Sequence, residues 1–441
     1  MHIKWARRSL AELEGIEART LAPFASLSKN AHLTRRFPED EHDYRTAFQR
    51  DRDRIIHSRA FRRLKHKRQV FLTSGSDHHR TRMTHTLEVS QLSRTIARAL
   101  GINEDLVEAI ALGHDLGHAP FGHLGEVALN EVMNGSRPLT TSTGQGNLGG
   151  FKHNYQSLRI VDLLEKKYTF AGLNLTAQVR EGILKHTRLL RDKFDFPDFC
   201  YDGLKYQLDM SGTMEGQVVA IADEIAQRTH DLEDGVRAGF VEVARVRELE
   251  LVRIVERMFS LETLRDDPLV YQGQLIRALI NVLVDDVIDQ TFINLSVFER
   301  DKQRLSHFDR LIVDFGSSMN PLQKQLNKFI YQEIINVSRV SWSDDQGKEL
   351  IFRLFQAYFV EPELLPIYVH RRYGHDVDVR KEKLPEGLRH QMQENSHFYR
   401  IICDYIAGMS DYYAVREAQR LVKLNKLTAH DLDLDVALGE R

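Results

Sequence analysis

The chain has 441 residues, of which 42% are hydrophobic and 28% charged, so it is long enough for a large core and too apolar for disorder over most of its length. Its formal net charge of -2 excludes a globally basic, histone-like protein, although residues 42–68 contain ten Arg or Lys against three Asp. The two cysteines, Cys200 and Cys403, show no CxxC spacing, which excludes a disulfide framework and a thiolate zinc site.

The first residues, Met1 to Trp5, lack the apolar run of a signal peptide. No stretch approaches the 18 uncharged apolar residues that a membrane span needs. We therefore expect a soluble protein of the reducing cytoplasm, without membrane contact.

The predicted elements are almost all helices. Helical periodicity dominates from about residue 50 onward and strand signals are scarce, which predicts an all-α fold. We expect residues 1–50 to form an N-terminal arm, residues 51–240 a catalytic core, and residues 241–441 a C-terminal helical region. Amphipathic patterns over residues 269–295 and 322–340 predict helices in that last region, which we expect to pack on the core and serve oligomerisation.

Two stretches in the first third of the chain have clear local signals. Asn103 followed by Glu104 and Asp105 predicts the start of a helix, with a capping amide and two acids that complement the helix dipole. Residues 135–150 carry five glycines together with Ser, Thr and Pro, which predicts a long loop. No Gly-Lys-Ser or Gly-Lys-Thr follows these glycines, so they do not form a Walker motif.

Residues 113–123 place three histidines and one carboxylate close together, in the order Gly-His-Asp-Leu-Gly-His-Ala-Pro-Phe-Gly-His. Packing does not explain such density, and imidazole with carboxylate suits a divalent ion such as iron, manganese, nickel or zinc. Two further residues are candidates for the same ion. His85 falls on the apolar face of a helix, and Asp223 is a carboxylate within an apolar helix that needs a partner, because unpaired buried charge is costly.

Each of these two residues also has a simpler interpretation. A lone histidine on an apolar face is typical of a hydrogen-bonded core residue, and a lone buried aspartate is typical of a salt bridge. The ordered set of His85, then His114 with Asp115, then Asp223 favours a shared metal.

This ordered spacing resembles the HD phosphohydrolase superfamily, and the wider pattern resembles its dGTPase-like deoxynucleoside triphosphate triphosphohydrolases. The matching motifs are residues 51–58, 61–64, 69–71, 82–85, 113–126, 151–154, 223–234 and 404–411. The resemblance spans most of residues 50–415. It implies an all-α HD-domain helical core with additional C-terminal helices.

The resemblance also implies one divalent metal ion, which could be Mn, Mg, Fe or Ni. The implied ligands are His85, His114, Asp115 and Asp223. The implied reaction machinery around the triphosphate is His118, His123, Glu126 and His153. We expect His123 to pair with Glu126, one helical turn away, as a general acid or base. In the family, cleavage between the sugar oxygen and the α-phosphorus gives a deoxynucleoside and intact triphosphate.

Substrate contacts are carried over in the same way. Arg82 matches an arginine that grips the phosphates, which suits a planar guanidinium. Gln69 and Asp231 match positions that contact the sugar 3'-hydroxyl. The chain departs from many members at Gln227, where they have a tyrosine that stacks on the sugar and excludes a 2'-hydroxyl.

Other interpretations and partners stay open. The metal site could serve another phosphate ester, such as a nucleoside monophosphate or an alarmone nucleotide, and the Arg-rich residues 45–68 could bind single-stranded nucleic acid. Asp77, His78 and His79 echo a DHH phosphoesterase motif, but they follow a turn-rich loop and lack its companion motifs. Family members assemble as hexamers or other oligomers, so we expect a homo-oligomer, with a hexamer favoured.

Overall fold

The computed structural model describes residues 7–68, 80–139, 146–187, 210–297, 306–336, 343–372 and 386–427. Regular secondary structure within these ranges is helical, and the extended segments meet only in isolated bridges, Arg68 with Thr81 and Lys166 with Gly172. The predicted all-α fold is confirmed. No helix among the described residues is both long and apolar enough to span a bilayer.

The α-helices are numbered here in chain order. They are α1 (Leu10–Thr20), α2 (Ala47–Ile56), α3 (Arg59–Arg63), α4 (Arg82–Leu100), α5 (Glu104–Gly113), α6 (Gly122–Met133), α7 (His153–Arg159), α8 (Ala177–Leu184), α9 (Met214–Arg237), α10 (Val243–Val246), α11 (Glu250–Phe259), α12 (Pro268–Ser296), α13 (Met319–Ile330), α14 (Ser343–Val360), α15 (Ile367–Arg372), α16 (Glu386–Glu394), α17 (Ser396–Ala407) and α18 (Asp411–Lys423).

Local sequence signals account for several helix ends. The side chain of Asn103 accepts a hydrogen bond from the Leu106 backbone nitrogen at 3.1 Å, so α5 begins where it was predicted. Helix α4 ends at Gly101, whose positive φ of 71° suits a residue without a side chain. The predicted helix over residues 269–295 is α12.

The predicted helix over residues 322–340 corresponds to α13 and the π-helical turn Tyr331–Ile335 that continues it. Residues 337–340 lie outside the described ranges. The predicted loop at residues 135–150 is confirmed in its described parts, which contain no helix.

The helices pack around two hydrophobic cores. The first contains buried residues of α2, α4, α5, α8, α9, α11, α12 and α13, together with Ala25 and Ala31 of the N-terminal arm. The second core joins α6 to α14, α17 and α18. Helices α9 and α12 share the first core although they lie on opposite sides of residue 240, and the domain boundary placed there stays a prediction.

This arrangement places the histidine-rich residues 113–123 at the interface between the two cores. Leu116 belongs to the first core, whereas Ala119 and Phe121 belong to the second. The turn between α5 and α6 is therefore held from both sides, by the N-terminal part of the chain and by its C-terminal helices.

Candidate active site

Three helices bring the four predicted metal ligands together. His85 lies in the first turn of α4, His114 and Asp115 follow the end of α5, and Asp223 lies in the middle of α9. The His85 Nε2 atom is 2.9 Å from Asp223 Oδ1, and His114 Nε2 is 3.7 Å from the same oxygen and 3.5 Å from Asp115 Oδ1. His85, Asp115 and Asp223 line a cavity of about 1290 Å³.

The donor atoms fit a divalent cation. The His114 Nδ1 atom is 2.6 Å from the Ala111 carbonyl oxygen, which only accepts hydrogen bonds, so the ring proton is on Nδ1. Its Nε2 atom therefore carries a lone pair, is buried, and has no hydrogen-bond partner among the described residues. His85, His114 and Asp115 offer ligand atoms within 4.8 Å of one another, so this buried group could hold a metal ion.

Both carboxylates of the centre are ionised at neutral pH. Burial opposes ionisation, but the charge of Arg82 and the hydrogen bond from His118 outweigh it and hold the pKa of Asp115 well below its ordinary value. For Asp223, burial is likewise outweighed by the close contacts with His85 and His114, which lower its pKa. Anionic oxygens are what a hard or borderline cation requires.

His230 and Glu88 lie next to the predicted metal ligand His85. The His85 Nδ1 atom is 3.4 Å from His230 Nδ1, and His230 Nε2 is 2.9 Å from Glu88 Oε2. If His230 Nε2 donates to the carboxylate, His230 Nδ1 accepts from His85 Nδ1, which leaves a lone pair on His85 Nε2. His230 follows Asp223 by seven residues, so helical spacing could have indicated that it shares a face of α9.

We expect Glu88→Gln to weaken divalent metal binding by roughly ten- to a hundredfold, because an amide orients the His230 and His85 pair less strongly than a carboxylate. The matched control is Glu104→Gln, since Glu104 is also a partly buried carboxylate bound to an arginine, Arg98. Calorimetric titration with Mn²⁺ measures both variants. Equal affinity in the parent and Glu88→Gln would contradict the supporting role.

A second group of histidines lies beside the metal ligands. His118 Nε2 is 2.9 Å from Asp115 Oδ1, and the His118 ring stacks on the His153 ring with centroids 3.8 Å apart. Burial, with the positive charge of Arg82, holds the pKa of His118 well below its ordinary value, so this ring is neutral. Its Nδ1 atom is buried and has no hydrogen-bond partner in the described part of the chain.

Glu126 binds His153 and Lys152, which differs from the expected pairing with His123. Its Oε2 atom is 2.6 Å from His153 Nδ1, and its Oε1 atom is 2.6 Å from Lys152 Nζ. Burial raises the pKa of Glu126, but His153 and Lys152 outweigh burial and hold it well below the ordinary value. His123 is exposed on the first turn of α6 and lines the cavity. The three-residue interval between His123 and Glu126 does not by itself show that Glu126 points inward.

His186 is a buried member of this group that the sequence motifs did not indicate. Its ring centroid is 5.1 Å from those of both His114 and His153, and burial lowers its pKa to about 3. It follows α8 in the sequence Gly-Ile-Leu-Lys-His, which carries no metal-site spacing of its own. A histidine brought to the centre by tertiary packing leaves little local signal.

Close packing explains a glycine in the His-Asp run. A Cβ atom at Gly117 would lie 2.2 Å from both the His153 carbonyl oxygen and the Ser157 backbone nitrogen. The Ser157 hydroxyl accepts from the Gly117 nitrogen at 2.8 Å and donates to the His114 carbonyl at 2.7 Å. Only glycine allows α7, which carries His153, to approach the turn between α5 and α6 this closely.

The C-terminal motif at residues 404–411 fixes the same turn. The two carboxylate oxygens of Asp411 accept from the backbone nitrogens of Phe121 and Arg68, each at 3.0 Å. Phe121 has a positive φ of 60°, a strained conformation for a residue with a side chain. The buried Lys67 ammonium donates to the carbonyls of His118 and Ala407, and burial lowers its pKa to about 7.

We expect Asp411→Asn to destabilise the protein by about 1–3 kcal/mol, because an NH₂ donor replaces one of the two acceptor oxygens and leaves one backbone N–H group without its acceptor. Activity should fall with stability, since Phe121 follows the His118 turn directly. Denaturant unfolding measures the free energy. Unchanged stability together with unchanged activity would show that the C-terminal region does not hold this turn.

Three arginines that line the cavity each have a guanidinium nitrogen without a partner. The buried atoms Arg68 Nη1, Arg82 Nε and Arg228 Nη1 have no hydrogen-bond partner among the described residues, and all three arginines line the cavity. Arg82 Nη1 also binds Asp115 Oδ2 at 2.7 Å. Donors of this kind suit an anion with many oxygens. Gln69, the other predicted contact, lies outside the described residues.

Asp231, the third predicted substrate contact, lines the cavity two turns beyond Asp223 on α9. Burial, reinforced by Asp234, raises the pKa of Asp231 to about 8. At neutral pH its carboxyl group is therefore protonated and can donate a hydrogen bond as well as accept one.

We expect Asp231→Asn to stabilise the protein increasingly as pH rises from 5 to 8. The pKa is about 8 in the fold and about 3.9 in an unfolded chain, so between these values the folded state holds a proton that the unfolded state has lost. The free energy of unfolding that depends on Asp231 is fully present below the unfolded pKa and decreases as pH rises to the folded pKa. The asparagine does not titrate, so the Asp231→Asn protein does not lose this free energy and should be about 1–3 kcal/mol more stable than the parent near pH 8. Thermal unfolding across this range measures it, and a gain independent of pH would contradict it.

The Arg-rich segment is largely paired within the protein. Arg45 binds Asp53 at 2.9 Å, Arg52 binds Glu108 at 3.1 Å, and Arg54 binds Glu39 at 2.7 Å. These carboxylates neutralise part of the local positive charge. Binding of single-stranded nucleic acid by this segment stays a prediction.

The fold and the site define a class of protein. A family model described as HD domain matches residues 82–228, which include all four predicted metal ligands. A second one, described as phosphohydrolase-associated domain, matches residues 313–420, which include Asp411. The protein is an HD-domain hydrolase with an associated C-terminal helical region.

Relatives over nearly the whole chain identify the family. The chain is 39% identical to a protein of Bartonella quintana (strain Toulouse) over 88% of its own length and 92% of the relative. It is 37% identical to one of Geobacter sulfurreducens, over 93% and 97%, and 40% identical to one of Brucella ovis, over 93% and 98%. All three are named deoxyguanosinetriphosphate triphosphohydrolase-like protein. The chain belongs to the family of deoxyguanosinetriphosphate triphosphohydrolase-like proteins.

Proposed function

We propose that the protein hydrolyses deoxynucleoside triphosphates to a deoxynucleoside and inorganic triphosphate, with a divalent metal ion bound by His85, His114, Asp115 and Asp223. One observation carries the proposal. His85, Asp115 and Asp223 line a cavity of about 1290 Å³ that also presents unpartnered N–H groups of Arg68, Arg82 and Arg228. A triphosphate offers the oxygens that such donors need, and the names of the relatives support the same substrate class.

The protein's own residues can be assigned to steps of this reaction. When bound, the cation would polarise a phosphoryl oxygen and make a nearby water more acidic. Arg68, Arg82 and Arg228 would bind the phosphate oxygens and orient the α-phosphorus. The neutral His118 ring lines the cavity and is oriented by Asp115 through Nε2, so its Nδ1 atom, which has no partner among the described residues, would accept the proton of an attacking water.

The leaving group requires a proton at the other side of the phosphorus. Attack of the water oxygen forms one bond to the α-phosphorus, the bond to the sugar 5'-oxygen breaks, and that oxygen takes up a proton. His123 is exposed on the cavity wall and remains the predicted donor. The protonated Asp231 would contact the sugar hydroxyl. Gln227 also lines the cavity, at the position where many family members have the tyrosine that excludes a 2'-hydroxyl.

Product analysis tests this proposal. The purified protein is incubated with each of the four deoxynucleoside triphosphates, singly and mixed, with Mn²⁺ or Mg²⁺, and products are separated by chromatography. Deoxynucleoside with intact triphosphate is the expected outcome. Orthophosphate or pyrophosphate as the released product would assign the site to another phosphate ester.

A further inference from the structure

His153 and His186 face each other in an arrangement that needs a positive charge between them. Their Nε2 atoms are 3.1 Å apart, and both rings are buried. The His186 Nδ1 atom is 2.7 Å from the Ile183 carbonyl oxygen, which cannot donate, so the ring proton is on Nδ1. The His153 Nδ1 atom is 2.6 Å from the ionised Glu126, so its proton is on Nδ1 as well.

Both Nε2 atoms therefore direct lone pairs at each other. Two acceptors in contact repel, and the repulsion is strong in a buried site that water screens poorly. Either a proton shared by the two rings or a cation bound by both nitrogens removes this repulsion.

The geometry suits a cation. Ligand nitrogens at about 2.1 Å from one ion lie roughly 3 Å apart when their bonds are at right angles, which is close to the observed separation. Asp115, His153 and His186 offer ligand atoms within 4.8 Å of one another, and Asp115 also belongs to the group formed with His85 and His114. One carboxylate is thus within reach of two groups of donors.

We propose that the protein binds a second divalent cation through His153 and His186, with the carboxylate of Asp115 bridging the two ions. The proposal rests on the first metal site and adds His186 to the ligands. The two oxygens of this carboxylate have different contacts, Oδ1 with His118 Nε2 at 2.9 Å and Oδ2 with Arg82 Nη1 at 2.7 Å. Ions bridged in this way are about 3.5–4 Å apart, a separation at which both can contact one phosphate.

The donor set indicates the kind of ion. Two imidazoles and a shared carboxylate suit Mn²⁺, Fe²⁺, Co²⁺, Ni²⁺ or Zn²⁺ better than Mg²⁺, which prefers oxygen. Glu126 orients His153 for this role through Nδ1, as carboxylates commonly do for metal-binding histidines.

Metal stoichiometry tests the proposal. The full chain is stripped with a chelator, reloaded with Mn²⁺ and desalted, and bound manganese is counted by mass spectrometry. We expect two ions per chain and an electron paramagnetic resonance spectrum of coupled ions. In His186→Ala we expect one ion and an uncoupled spectrum. His370→Ala is the matched control, because His370 is a buried histidine that does not line the cavity, and it should retain two ions.

The possible outcomes are distinct. One ion in the parent protein overturns the proposal in favour of a shared proton and leaves the first site standing. Two ions in both the parent and His186→Ala overturn the assignment of His186. No ion in the parent overturns the first site as well. The parent spectrum decides the question of coupling even if a variant fails to fold.

Discussion

Asp115→Asn is expected to lower hydrolysis at least about a thousandfold, because loss of a ligand charge removes several kcal/mol of stabilisation that a bound cation gives to the phosphoryl group. The substitution keeps the shape of the side chain. Because a ligand charge is lost, bound metal should be lost along with activity. The substitution also leaves Arg82 without its ionised partner. Steady-state hydrolysis and metal content measure the two effects.

The controls separate chemistry from folding. Asp43→Asn changes an exposed aspartate, 79% accessible, and should leave activity and metal content unchanged. His114→Ala should lose activity as Asp115→Asn does, with the helical circular dichroism spectrum retained in both. Full activity in both site variants would remove the His and Asp centre from the reaction.

Glu126→Gln has the second largest expected effect, a loss of about a hundredfold or more in kcat. The glutamine cannot match the short charge-assisted contact to His153 Nδ1, so the His153 ring loses its orientation and the negative charge that favours its proton on Nδ1. The rate constant should fall more than KM rises, because the arginines that bind phosphate are unchanged.

The same helix offers a matched control for this prediction. Glu131 is a partly buried carboxylate on α6 that binds Lys348, as Glu126 binds Lys152. Glu131→Gln should therefore change stability slightly and kcat hardly at all. A similar loss in both variants would mean that Glu126 acts only through the stability of α6.

The sequence predicted the parts of the site whose side chains lie in recognisable motifs. His85, His114, Asp115 and Asp223 occur in a fixed order on helices with clear apolar faces, and the structure brings them into one group. Helix α5 was predictable because a capping Asn and two acids mark its start. Such signals are local, so they can be recognised in the sequence without knowledge of the fold.

The remaining parts depend on tertiary packing. The contact between Glu126 and His153 joins residues 27 positions apart. The sequence of the loop between them does not indicate which residue of α6 faces His153. His186 reaches the centre only because α8 packs between α5, α7 and α9. The hydrogen bond from the Phe121 backbone nitrogen to Asp411 joins residues 290 positions apart in the sequence. A resemblance can mark the C-terminal motif, but its role as a support of the turn between α5 and α6 follows from the hydrogen bonds.

Hydrolysis of a deoxynucleoside triphosphate in water labelled with heavy oxygen tests the central claim most directly. If water attacks the α-phosphorus, mass spectrometry will find the label in the released triphosphate and none in the deoxynucleoside. Label in the deoxynucleoside would mean that the carbon to oxygen bond breaks. Label in orthophosphate or pyrophosphate would mean that the site attacks a different phosphorus, and either result would contradict the proposed reaction.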